Sequence, residues 1–385
     1  MTMQIDKTYL NKILTDLVKI NSCNPSLIPD SPGEADIGAY MAAEMNALGL
    51  AVHTHELAPT RVNVVGILPG SGQGRSLLLN AHLDTVGVEG MPDPFSGEIR
   101  DGRLYGRGSQ DMKASLAAML ASVKALRDAN ITLAGDLLIT CVADEEYVSI
   151  GMEDLVKHYS ADGAIVTEPT DMALCLAHGG FIWYEVETIG RAAHGSRAQE
   201  GIDANMRMGR FLAELEKLAQ ETIQRPPHPL TGPPSLHASL INGGTELSVY
   251  AAKCTLQLER RICPGETEAT ITQELQDIID RLSAADSSFQ ATVKPLFERS
   301  PFEIATDRPI VTVVEQAMAQ HLGTPPAHMG ATFWTDAALL AAAGIETVVV
   351  GPIGQGLHSV EEWVELQSVY DLSHILMMSA IEFCR

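Results

Sequence analysis

Leu77-Leu78-Leu79-Asn80-Ala81-His82-Leu83-Asp84-Thr85 reads as a buried strand that runs into a histidine and, two residues on, an aspartate. Further along comes Gly106-Arg107-Gly108-Ser109-Gln110-Asp111-Met112-Lys113, a glycine-marked turn that delivers another aspartate. The apolar spacing after it predicts a helix over 112–129, with Leu116, Met119, Leu120, Val123 and Leu126 on one face. Imidazole and carboxylate at the ends of core elements outline a metal site, because these donors suit zinc, cobalt or manganese.

Three more apolar runs end the same way. Residues 137–143 lead into Asp144-Glu145-Glu146, and 163–166 into Thr167-Glu168-Pro169-Thr170. Residues 346–350 lead into Gly351-Pro352 and then His358. Continuous apolar strands alternating with helices predict an α/β fold with a mostly parallel central sheet covered on both faces. In such sheets ligands gather outside the carboxyl ends of the strands. The helical patterns at 8–20 and 37–48, and the strands at 52–57 and 63–68, precede this core.

The middle of the chain has another rhythm. Residues 182–188 alternate as a half-exposed strand, and a helix is predicted over 203–218. Proline-rich loops follow, then strands at 236–241 and 248–260, a helix over 266–282 and a strand at 289–296. The order β-α-β-β-α-β is a ferredoxin-like split unit. Residues 180–296 are therefore expected to form an inserted α+β domain, with 1–179 and 297–385 making the catalytic one. A length of 385 residues agrees with two domains.

The chain has 49 acidic and 26 basic residues, a net charge of −23. That excludes nucleic acid and anionic membrane as expected partners, since both need a basic face. No apolar run approaches the roughly 18 residues of a membrane span, and the start lacks the apolar stretch of a signal peptide. Six scattered cysteines without a C-x-x-C pair are expected to be reduced and buried, which points to a cytoplasmic protein.

His82, Asp111, Glu146, Glu168 and His358 form the expected ligand set. Each alone has an ordinary explanation: a core histidine, a helix cap, a solvated loop. Their joint placement behind apolar strands does not. Two histidines and three carboxylates are too many for one catalytic zinc, which takes three protein ligands and a water. They suit two ions about 3.5–4 Å apart, sharing a hydroxide and polarising a carbonyl. Asp111, entering from a helix start, is the expected bridge. Glu145, beside Glu146, is free to act as the general acid/base. Asp84 is placed to orient His82 by accepting a hydrogen bond from its second nitrogen.

These motifs resemble the acetylornithine deacetylase / succinyl-diaminopimelate desuccinylase family of two-metal aminoacylases and exopeptidases. The likeness runs through 79–86, Gly106-Arg107-Gly108 to Asp111, Asp144-Glu145-Glu146 and Thr167-Glu168-Pro169-Thr170. It continues through Arg191-Ala192-Ala193-His194-Gly195-Ser196 and from Gly351-Pro352 to His358-Ser359-Val360-Glu361-Glu362. The resemblance implies that His82 and Glu168 hold one metal, Glu146 and His358 the other, and that Asp111 bridges them. It also implies a lid domain through which the protein forms a homodimer. His194 would stabilise the oxyanion at the partner subunit's site. Arg261, or its neighbour Arg260, would bind the substrate carboxylate, with Thr332 a further substrate contact. Many relatives have asparagine and proline where this chain has Ser248 and Ala251, which bears on the pocket's preference.

The expected function is hydrolysis of an N-acyl-amino acid, a small molecule with a free carboxylate, using two divalent ions, zinc first and cobalt or manganese next. A dipeptidase or carboxypeptidase, or a succinyl-diaminopimelate desuccinylase, is the alternative within the same family. A non-catalytic metal-binding protein on this scaffold would lack the base or a ligand, and neither is missing.

Overall fold

The computed structural model describes residues 4–385. They fall into two compact units: 4–176, 304–329 and 335–385 form the larger, and 177–303 with 330–334 the smaller. The division begins three residues before the expected position and ends later, because the strand Gln290–Arg299 runs past 296.

The centre of the larger unit is built by the four strands whose endings drew attention in the sequence. Leu137–Val142, Leu77–His82, Gly163–Val166 and Glu346–Val349 lie side by side in that order, each parallel to the next. Being parallel, they present their carboxyl ends along one edge. The first two are buried at every position, as strands covered on both faces must be. The flanks are antiparallel: Arg61–Leu68 against Leu137–Val142, Ala51–Ala58 against Arg61–Leu68, and Leu174–His178 against Glu346–Val349. The sheet is thus mixed, with a parallel core.

The turn into the predicted helix is more elaborate than a cap. Ser109–Lys113 forms a wide helical turn in which Asp111 and Met112 leave helical geometry, and the α-helix proper is Ala114–Asp128. That helix is buried on nearly all sides rather than along one stripe. Its alanines and serines let it sit between the sheet strand Leu77–His82 and the helices Lys7–Lys19 and Leu366–Phe383.

In the smaller unit the strands Ser235–Gly243, Lys253–Ile262, Gly180–Ile189 and Gln290–Arg299 pair antiparallel in that order. The helices Ala204–Ile223 and Glu268–Ala285 start at side-chain caps, Asp203 and Thr267, each accepting from a backbone N–H three residues on. Ile182, Tyr184 and Val186 from the strand Gly180–Ile189 meet Phe211, Leu215, Leu275 and Ile278 from the helices in one apolar core. The element order is the β-α-β-β-α-β read in the sequence.

Candidate metal centre

The carboxyl ends of the parallel strands bring the five ligand candidates together. One donor atom each from His82, Asp111 and Glu168 lies within 4.8 Å of the others, and the same holds for Asp111, Glu146 and His358. Asp111 belongs to both groups. Its Oδ1 is 3.0 Å from His82 Nε2, and its Oδ2 is 3.5 Å from His358 Nε2. His82 Nε2 is also 3.7 Å from Glu168 Oε1, and His358 Nε2 is 3.0 Å from Glu146 Oε2. His82 is buried, whereas His358 stands half exposed on a loop in left-handed backbone (φ 57°).

The surroundings hold these groups from behind. Glu362, buried, accepts from the backbone N–H groups of Gly108 (3.0 Å), Gln110 (2.9 Å) and Asp111 (3.1 Å). Arg107 neutralises it through a 2.6 Å ion pair. Gly108 sits at φ 78°, a conformation that favours glycine, and so lets three amides converge on one carboxylate. Gly351 is required for space: a Cβ there would lie 2.2 Å from the carbonyl oxygen of Glu168.

Asp84 differs from expectation. His82 Nδ1 bonds to the backbone carbonyl of Asp84 at 2.8 Å, while the Asp84 carboxylate is 3.6 Å away. The carboxylate instead accepts from the backbone N–H groups of Glu145 and Glu146, both at 3.2 Å, and from Asn24 Nδ2 at 2.8 Å. The Asp84 carbonyl thus serves the imidazole and its side chain the Glu145 loop. Asn24 also reaches Asp144 Oδ1 (3.0 Å), which pairs with Arg61 Nη2 (2.6 Å), and Arg61 Nε pairs with Glu34 (2.7 Å). Spacing alone gave no sign of Asn24, Arg61, Glu34 or the Glu362 cradle as parts of the site.

Charge dominates the chemistry here. Burial pulls the His82 pKa down, but the hydrogen bond to Asp111 and the charges of Glu168 and Asp84 outweigh it and hold the imidazole well above its ordinary value. Asp111 and Glu146 push His358 up to about 10. Burial resists ionisation of Asp111, yet the two histidines keep it well below the usual carboxylate range. Burial, then the charge of Asp111, lifts Glu146 to about 6. Glu145 and Glu168 are raised well above normal, first by burial and then by neighbouring carboxylates, including Asp336.

So many carboxylates this close cannot all ionise in a low-dielectric site unless cations neutralise them. Glu146 Oε1 is moreover buried with no hydrogen-bond partner. Nitrogen and oxygen donors in two triads that share a carboxylate fit a pair of divalent ions.

The remaining site candidates belong to the smaller unit. His194 is exposed on a loop, its Nδ1 2.8 Å from Ser196 Oγ. Arg261 and Thr332 both line a cavity of about 390 Å³, with Thr231, Pro233, Cys263 and Phe333. Arg261 donates Nε to Glu259 (2.6 Å) and lies 5.2 Å from the Phe181 ring centre, with 43% of its side chain exposed. Arg260 is buried and committed to Glu266 and to the Arg261 carbonyl.

Known proteins resemble this chain along most of its length. The chain is 28% identical to N-formyl-4-amino-5-aminomethyl-2-methylpyrimidine deformylase of Bacillus subtilis, over 92% of this chain and 91% of that one. It is 28% identical to acetylornithine deacetylase of Myxococcus xanthus, over 97% of each. Aminopeptidase PepT from Bacillus cereus superposes on all of both chains with a TM-score of 0.81 at 18% identity, which speaks to fold. The model for "Peptidase family M20/M25/M40" matches residues 78–381, most of the chain and every member of both triads. The chain belongs to this family of metal-dependent hydrolases, and its reaction is hydrolysis of an amide bond.

Proposed function

We propose that the substrate is an N-acyl-amino acid, with N-acetylornithine the first to test, and that the ions are two Zn²⁺. The observation that carries this reading is Asp111 dividing its two oxygens between two histidine–carboxylate groups. His82 and Glu168 would hold one ion and Glu146 and His358 the other. When bound, the pair supplies Lewis acidity toward a carbonyl oxygen and makes water more acidic.

The chain's own groups do the rest. Glu145 takes the proton from the attacking water and delivers it to the amine nitrogen as the C–N bond breaks. Asp84 holds the Glu145 and Glu146 amides and so fixes where Glu145 points. Arg261, rather than the committed Arg260, offers its free guanidinium nitrogens to the substrate carboxylate, with Thr332 beside it in the same cavity. His194 donates to the developing oxyanion of a neighbouring subunit, in a homodimer formed through the smaller unit. Burial of all six cysteine side chains supports a cytoplasmic setting. No helix is long and apolar enough to cross a membrane among the described residues.

The zinc-loaded protein should release acetate from N-acetylornithine, and Arg261→Ala should raise KM at least tenfold. The names of the relatives supply the discriminating pair. A formylated aminomethylpyrimidine has no carboxylate, so its turnover should not depend on Arg261. Dipeptides and N-succinyl-diaminopimelate complete the panel. Absence of turnover on every acyl-amino acid and dipeptide, with both ions in place, would defeat the proposal.

A further inference from the structure

At the edge of the larger sheet the strand Ala51–Ala58 and the helix Ile150–His158 bring His55, Asp154 and His158 together. One donor atom of each lies within 4.8 Å of the other two, and none of the three belongs to the strand-end cluster. Asp154 and His158 are one helical turn apart and so share a face.

Three details distinguish the group from an ordinary surface ion pair. His55 Nδ1 lies 3.5 Å from Asp154 Oδ2. A pair bonded directly would close to about 2.8 Å, whereas two ligands of one tetrahedral zinc with bonds near 2.0–2.1 Å are separated by about 3.4 Å. Second, Asp154 Oδ2 is buried and accepts no hydrogen bond, a costly state for a carboxylate oxygen. Third, the outer nitrogens are already anchored. His55 Nε2 bonds to Tyr159 Oη at 2.9 Å, which fixes the ring with Nδ1 toward Asp154. His158 Nδ1 lies 3.0 Å from the Asp154 carbonyl, which leaves Nε2 with the free lone pair. A partner on the far nitrogen is how proteins orient a metal-binding imidazole.

We propose that His55, Asp154 and His158 form a third metal site, separate from the paired one, that takes a divalent first-row cation of the Zn²⁺ type with water completing the tetrahedron. Two imidazoles and a carboxylate select such ions over Ca²⁺ or Mg²⁺, which prefer all-oxygen shells. The three side chains are partly exposed, so the ion exchanges with solvent. Its structural effect is to tie the edge strand to the helix that follows the Glu145–Glu146 loop.

The test is a count by difference. Full-length protein is dialysed to equilibrium against ZnCl₂ and its zinc measured by mass spectrometry, beside His158→Ala and Asp154→Asn. The wild type should hold one zinc per chain more than either variant, whatever the paired site contains. Circular dichroism checks that the variants are folded, and Asp154→Asn keeps the side-chain shape should His158→Ala not fold. Equal zinc in wild type and a folded variant overturns the proposal. So does equal retention when Ca²⁺ replaces Zn²⁺.

Discussion

Glu145 and Glu146 are neighbours in sequence with different surroundings. Glu146 pairs with His358 within one of the triads, and Glu145 belongs to neither. Glu145→Gln should therefore lower kcat by about 10²–10⁴-fold, the usual worth of a positioned acid/base. Metal content measured on the same sample should be unchanged, and loss of metal would assign Glu145 to the ligands instead. Glu362 makes the opposite case, since it contributes to the site only through what it holds. Glu362→Gln keeps the shape but strands the buried Arg107 guanidinium, 4% exposed, at a cost of about 3–5 kcal/mol by urea unfolding. The Asp111 turn should then bind metal more weakly; unaltered stability and metal affinity would show that the cradle is dispensable. Residues of this second kind were not legible in the sequence. Glu362 and Arg107 are 255 positions apart, and nothing local marks them as partners. Asp84 was legible as part of the site, but its side chain serves the Glu145 loop and its backbone carbonyl serves His82.

At the scale of elements, the parallel core was readable because strands buried on both faces must be apolar throughout. Their polar endings then stand out against the run, at His82, Glu145–Glu146 and Glu168. The antiparallel flanks carried no such signature, since Ala51–Ala58 is largely exposed and its pattern does not say which way it pairs. The helices Pro309–Leu322 and Leu366–Phe383 went unread for a related reason. Their burial is spread around the helix by packing against each other and, for the latter, against Ala114–Asp128. Arg61 begins a flanking strand and braces the loops of Glu34 and Asp144. Arg61→Ala leaves two buried carboxylates with no cation, so a loss of about 3–5 kcal/mol is expected. Thermal unfolding checks it: a shift within error would mean that the brace adds nothing. Because Asp144 leads directly into Glu145, the variant's kcat should fall as well.

For the molecule as a whole, net charge and metal binding are linked. Without ions, the surrounding carboxylates hold His82 above its ordinary pKa and push His358 up to about 10, and burial lifts Glu146 to about 6. Binding requires all of them deprotonated, so each ion displaces protons. Apparent affinity should accordingly rise with pH from about 5 to 9, levelling as His358 loses its proton near 10. Calorimetry in two buffers of different ionisation enthalpy should show net proton release at pH 7. An affinity that is flat or falls with pH would contradict the ligand set. Chelation should abolish activity, and added Zn²⁺ should restore it.

Anomalous diffraction at the zinc edge, from a crystal grown with Zn²⁺, addresses the central claim directly. At the strand ends, two peaks about 3.5–4 Å apart, both touching Asp111, one beside His82 and Glu168 and the other beside Glu146 and His358, are the predicted result. A single peak at the strand ends, or two that do not share Asp111, would contradict it.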